Sequence, residues 1–170
     1  MVWSPMRAED IAAAYDLSKV IHPGFPEDLA VLTEKFRLYP RGCFFCRVAG
    51  GAVGYAVSHP WDGGHLPALN RKLGTLPQSG TQYYIHDIAL LAGVRRGGHG
   101  AGIVTLIKRH AAAEGYTRLN LVAVNGSVPF WQRHGFSVCP PGAFRDKLMS
   151  YGADARFMEC RDLTVPSGGA

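Results

Sequence analysis

The chain has 170 residues, 47% of them hydrophobic and 18% charged, with a formal net charge of +5. That length suits one domain with its own core and no need of a metal or disulfide staple; the composition excludes a disordered chain, and no apolar run approaches the ~20 residues of a membrane span. The basic surplus favours an anionic partner, with nucleic acid, an acidic protein surface and a phosphorylated cofactor all open at this point.

The first residues, "MVWSPMRAED", show neither the basic nor the apolar region of a signal peptide. Four scattered cysteines (Cys43, Cys46, Cys139, Cys160) do not make a disulfide framework. The cytoplasm is therefore the expected compartment. "VWSP" reads as a short strand, followed by a helix over about 8–21 with Ile11, Ala14, Tyr15 and Leu17 near the helical period. "HPGFPED" breaks it, and Pro26-Glu27-Asp28 open a second helix to about 38, since proline and acids suit a first turn.

"CFFCRVAGGAVGYAVSHP" reads as a hairpin turning at Gly50-Gly51. The Gly- and Pro-rich stretch 60–80 has no period and is expected to be a long functional loop. "TQYYIHDIALL" is a strand, 98–114 a helix with Ile103, Leu106, Ile107, His110 and Ala111 on one face, and Gly115 its stop. "TRLNLVAV" is a further strand, "SVPFWQRH" a short helix ending at Gly135, and "ARFMECRDL" a last strand. Helices interleaved with strands point to a mixed α/β sheet in one domain over 1–165, with 166–170 a frayed tail.

Between the strand "IALL" and the third helix, Gly97, Gly98, Gly100 and Gly102 crowd behind Arg95 and Arg96. Glycine costs roughly 0.5–1 kcal/mol of order at such positions relative to alanine. A helix start carries unpaired N–H groups and partial positive charge, so bare backbone there is a phosphate cradle. A P-loop needs Lys-Ser/Thr after its second glycine, and Gly102 is followed by Ile103. The dinucleotide fingerprint fails because Ile103 stands where its third glycine belongs.

Arg95-Arg96-Gly97-Gly98-His99-Gly100 matches every defined position of Q/R-x-x-G-x-G/A, the pyrophosphate loop of the GNAT N-acetyltransferase superfamily. The resemblance spreads over nearly the whole chain. "GYAVSHPW", "HDIALL" and "LVAVNGSVPFW" are similar to a bacterial subset of that family, and Gly135-Phe136 matches its usual ending. It implies an α/β fold with a mixed, mostly antiparallel sheet, helices on both faces and splayed central strands. It also implies acetyl-CoA as co-substrate and an amine acceptor attacked in a ternary complex. The backbone of Ile88, Ala89 and Leu90 would pair with the pantetheine arm, and the Ile88 N–H would polarise the thioester carbonyl. Arg95, Arg96 and the amides of Gly97, Gly98, His99 and Gly100 would hold the pyrophosphate. A homodimer is compatible with the family, nucleic acid is disfavoured because no recognisable module accompanies "RRGG", and a non-catalytic acyl-CoA-binding domain is the rival reading.

For a base the resemblance favours His86, two residues before Ile88, with Tyr84 on the same strand face as its partner. Asp87 would face the other way unless a bulge intervenes. A structural histidine at 86 is the competing reading. Trp131 stands where the family's acid tyrosine is usual, and indole N–H gives up no proton. Ser127 and Tyr151 are the substitutes within reach of the pattern. Asn125 is a pantetheine contact or, equally, a turn residue with Gly126. Glu27, Asp28 and Asp62 are candidates to attract a cationic amine, with Phe25, Trp61 and Trp131 packing on it, against the plainer reading of loop acids and loop aromatics. Cys43-x-x-Cys46 lacks a second ligand pair, and His59, His65, His99, His110 and His134 show no metal spacing.

Overall fold

The computed structural model describes residues 2–25, 27–78 and 80–164. The expected tail at 166–170 and Pro26 lie outside them. Seven strands, β1 Val2–Pro5, β2 Cys43–Val48, β3 Gly51–Trp61, β4 Gln82–Leu90, β5 Leu119–Ala123, β6 Ser137–Val138 and β7 Arg156–Cys160, form one sheet of order β1-β2-β3-β4-β5-β7-β6. Every neighbouring pair is antiparallel except β4 and β5. Among the described residues five α-helices accompany them: α1 Ile11–Ile21, α2 Leu29–Leu38, α3 His99–Ala113, α4 Val128–Arg133 and α5 Arg145–Met149.

The strand period of two sorts side chains onto two covered faces. Cys43, Phe45, Tyr55, Val57 and Ala89 pack with Ile11, Ala14, Leu17 and Leu32 of α1 and α2. Phe44, Ala56, Tyr83, Ile85, Leu119 and Leu121 pack with Ile103, Val104 and Ile107 of α3 and Trp131 of α4. A third cluster joins Trp61, Leu66 and Tyr84 to Leu148 and Tyr151, so the long loop is roofed by α5.

Element boundaries moved where the local signal was weak. The first helix opens as a 3-10 turn over Ala8–Asp10, and α2 begins at Leu29 behind an extended Asp28. Another 3-10 turn, Ala92–Gly97, separates β4 from α3. The two-residue β6 and the five-residue α5 carry too few periods to be read from sequence. Gly54 shows why a bare residue sits mid-strand: a Cβ there would lie 2.5 Å from the Ala89 carbonyl oxygen and 2.6 Å from the Leu90 side chain. Among the described residues no helix is long and apolar enough to cross a membrane, and no group of three or more His, Cys, Asp or Glu could hold a metal. All four cysteines are free, and burial pushes the Cys43 thiol up to about 12.

Candidate active site

A bulge on β4 fixes the orientation of the central residues. Val57 pairs with Asp87 but Ser58 pairs with Ile85, so His86 is the extra residue. The step reverses the side-chain alternation. Tyr83 and Ile85 face α3, whereas Tyr84, His86, Asp87 and Ala89 all face the α1–α2 side. His86 and Tyr84 share a face as expected, with ring centroids 6.2 Å apart. Asp87 is on that face too, which a regular strand forbids.

Beyond Tyr84 the parallel partner leaves. β4 pairs with β5 only at Tyr83–Leu119 and Tyr84–Asn120, while β5 stays paired to β7 along its length. The Leu91 N–H donates to the Val53 carbonyl at 2.9 Å, and this sets the phase of the antiparallel ladder. Ala89 thus exchanges its hydrogen bonds with Tyr55, and Ile88 and Leu90 turn theirs toward the gap. Of the three expected backbone contacts, two lie on the open edge and Ala89 lies on the closed one. The Leu90 carbonyl already accepts a hydrogen bond from Arg95 Nε at 3.0 Å. The gap widens into a cavity of about 530 Å³ whose walls include Ile88, Leu90, Arg95, Gly100, Asn125 and Trp131.

Gly98 ends the 3-10 turn at φ 75°, and α3 begins with the next residue. The first helical bond runs from the Gly102 N–H to the Gly98 carbonyl at 3.0 Å. The amides of His99, Gly100 and Ala101 therefore have no partner within the helix, and no side chain caps them. Arg95, Arg96, Gly97 and Gly98 are exposed beside them, and the His99 ring lies against Gly97. Asn125 is a left-handed turn residue at φ 53° followed by Gly126, whose N–H donates to Asp154 Oδ2 at 2.9 Å. It occupies the turn and lines the cavity at once.

The other half of the cavity is electrostatic. His86 Nε2 lies 3.1 Å from Glu27 Oε1, and Lys35 Nζ, with a fully buried side chain, donates to the same oxygen at 2.8 Å. Burial favours the neutral acid at Glu27, but His86 and Lys35 outweigh it and hold the carboxyl at about 2. Since Glu27 is an ionised acceptor, His86 donates its Nε2–H in that bond, and its Nδ1, the atom that carries the lone pair in a neutral ring so held, is buried with no hydrogen-bond partner. Next to His86, Asp87 accepts a hydrogen bond from Tyr55, and His22 Nε2 approaches its Oδ1 to 3.0 Å without hydrogen-bond alignment. Burial opposes charge on His22, yet the Asp87 carboxylate prevails and raises its pKa. His59, 5.9 Å from His86 between ring centroids, is driven down to about 3 by burial and then by His86. Burial raises Tyr84 well above the usual tyrosine range, so it keeps its proton.

The long loop locks this half in place. Asn70 Oδ1 accepts from the Asp28 N–H at 2.7 Å, Glu34 accepts from the Leu73 and Gly74 amides, and Tyr151 donates to the Pro67 carbonyl. Asp28 and Asp62 are exposed loop acids outside the cavity wall, and Trp61 is buried under the loop with its Nε1 on the His65 carbonyl. Phe25 and Trp131 do line the cavity, as does Ser127. Lys35 escaped the sequence reading: it sits inside a helical pattern where a lysine is ordinarily a solvated face. The Glu27–Lys35 spacing across a helix start was the signal available.

A splayed β4–β5 pair lies beside an uncapped glycine-rich helix start, and a family model for the acetyltransferase (GNAT) family matches residues 9–136. The chain belongs to the GNAT family. Solved structures carry the same GNAT fold at low identity. Ard1 from Thermoplasma volcanium is 17% identical, with TM-score 0.70 over 93% of this chain and 95% of its own. Naa20 of Chaetomium thermophilum, solved with a bisubstrate analogue, is 17% identical at TM-score 0.69, covering 95% and 86%. The GNAT-like decarboxylase GphF, solved with isobutyryl-CoA, is 16% identical at TM-score 0.77, covering 96% and 100%. No curated protein matches the sequence. These likenesses concern the GNAT fold.

Proposed function

We propose that this chain transfers the acetyl group of acetyl-CoA to a primary amine by direct attack in a ternary complex. The observation that carries the reading is the opened edge of β4, where Ile88 and Leu90 present backbone groups to a cavity that ends at the free amides of α3. Ile88 and Leu90 would pair with the pantetheine arm as an added strand, and the Ile88 N–H would polarise the thioester carbonyl. The amides from Gly98 to Ala101, with Gly97, Arg95 and Arg96 alongside, would hold the pyrophosphate, and Asn125 would border the arm.

The harder proton belongs to the amine. With a pKa of about 10.4, its reactive form lies roughly 4–5 kcal/mol uphill at neutral pH, whereas a thiol near 8.5 needs only roughly 2 kcal/mol to leave. His86 is the base, its Nδ1 lone pair set by the Nε2 bond to Glu27. Tyr151 does not replace the tyrosine that Trp131 displaces, because it spends its proton on the Pro67 carbonyl and is raised by burial to about 12, which leaves Ser127, the other candidate hydroxyl, on the wall. That substitution favours one second reading, a domain that binds acyl-CoA without turning it over.

Saturating acetyl-CoA should raise the melting temperature, and thiol release across an amine panel should follow. No thermal shift overturns both readings; a shift without thiol release leaves the binding domain alone. Gly98→Val tests the cradle separately. Forcing a branched residue to φ 75° costs about 1–2 kcal/mol, so if that strain falls on the helix start, CoA affinity drops about tenfold by calorimetry. Unchanged affinity would place the pyrophosphate elsewhere.

A further inference from the structure

The acceptor half of the cavity is more selective than a general amine site. Beyond the bulge its apolar walls are Ile21, Phe25, Leu69, Tyr84 and Tyr151, with Glu27 and His86 between them. Two carboxylates face this space, Glu27 and Asp87, and one ammonium, Lys35, is bound to the first. With both imidazoles neutral, the two carboxylates less the Lys35 ammonium leave a single negative charge on the acceptor side, where His86 and His22 are set against those same two acids. Both hydrogen bonds to Glu27 fall on Oε1, so Oε2 is able to accept from a ligand N–H.

That charge count discriminates among amines. One ammonium balances the site, whereas a second, as in a diamine, would be desolvated without a counter-charge. A carboxylate next to the reacting nitrogen fares no better. Lys35 is fully buried behind Glu27 and off the cavity wall, and Arg95, a cation on the wall, is tied to the Leu90 carbonyl on the cofactor side. The aromatic and aliphatic lining gives a hydrocarbon body somewhere to go.

We infer that the acceptor is a hydrophobic primary monoamine, an alkyl- or arylalkylamine, whose nitrogen is held by Glu27 Oε2 beside His86. The inference rests on the acetyl-transfer reading and narrows it. Lys35 is the positioning residue, holding Glu27 ionised and aimed.

The test uses the wild-type chain with acetyl-CoA and pairs that differ in one group. Phenethylamine should exceed phenylalanine, which adds only a carboxylate, by about 100-fold or more in kcat/KM, equivalent to two tenfold steps. In a series of n-alkylamines each buried methylene should add about fourfold until the pocket is filled. Putrescine should react far more slowly than butylamine. A preference for phenylalanine, putrescine or a peptide amine overturns the inference and leaves acetyl transfer standing; no thiol release with any amine overturns both. A second arm reads binding alone. Phenethylamine should bind the CoA complex, which cannot turn over, about tenfold more tightly in wild type than in Glu27→Gln/Lys35→Met, which removes both charges together. Equal binding overturns the assignment to Glu27, and should the double variant not fold, the amine panel decides.

Discussion

His86→Ala should lower kcat/KM for an amine acceptor by about 10²–10⁴ near neutral pH and leave CoA affinity close to that of the native chain. The split follows from the bulge. The side chain of residue 86 faces Glu27 on the α1–α2 side, and the proposed cofactor contacts are backbone groups of Ile88 and Leu90 on the strand edge together with amides of α3. Removing the imidazole takes away the proton acceptor and frees Glu27 from one of its two partners, and it leaves those backbone groups untouched. Rate measurements with a saturating acceptor, paired with calorimetry of CoA binding, check both halves. Full turnover in the variant would remove His86 as the base and return it to the role of a structural histidine. A parallel loss of CoA affinity would mean that the ring supports the strand edge instead of the chemistry.

Between pH 6 and pH 4 the folded chain should lose roughly 2–3 kcal/mol of stability through His59 alone, at up to roughly 1.4 kcal/mol per pH unit for one proton. The sign comes from which state binds that proton. His59 has 1% of its surface exposed, donates through Nδ1 to the Pro60 carbonyl at 2.9 Å, and takes a proton in the fold only near pH 3, against an ordinary 6.5. In that window the unfolded chain is protonated and the native one is not, so stability is complete above 6.5 and drains away as the pH falls toward 3. Glu27 acts in the same direction lower down, from 4.5 to about 2, as protonation of its carboxylate weakens its bonds to Lys35 and His86. His22, whose pKa is raised, works the opposite way and gives stability that is lost as the pH rises. Urea denaturation at several pH values, with wild type and His59→Asn side by side, isolates the effect. The variant forfeits packing against Trp61 and Tyr84 and is less stable throughout, but its slope between pH 6 and 4 should be flatter by one proton. Parallel slopes would show that His59 is protonated inside the fold without penalty.

Some of this molecule is settled over stretches short enough for sequence to carry. The hairpin at Gly50-Gly51, both at positive φ, and the left-handed Gly98 before α3 follow from local backbone sterics, so glycine marks them wherever they occur. The run from Arg95 to Gly100, between an apolar strand and an amphipathic helix, likewise holds its chemistry in adjacent residues. That is why the family could be read from the chain. What tertiary structure decided is the acceptor half. One extra residue in β4 relative to β3 reversed the alternation, so Asp87 joined His86 on a face that a regular strand denies it. Lys35 became a buried charge because Glu27 met it across the start of α2, and His86 reached Glu27 from 59 positions away in sequence. Ala89 turned its hydrogen bonds inward because the ladder phase is set at Val53 and Leu91. Register and burial depend on which strands meet and where a bulge falls. Those are long-range packing outcomes, and no local period encodes them.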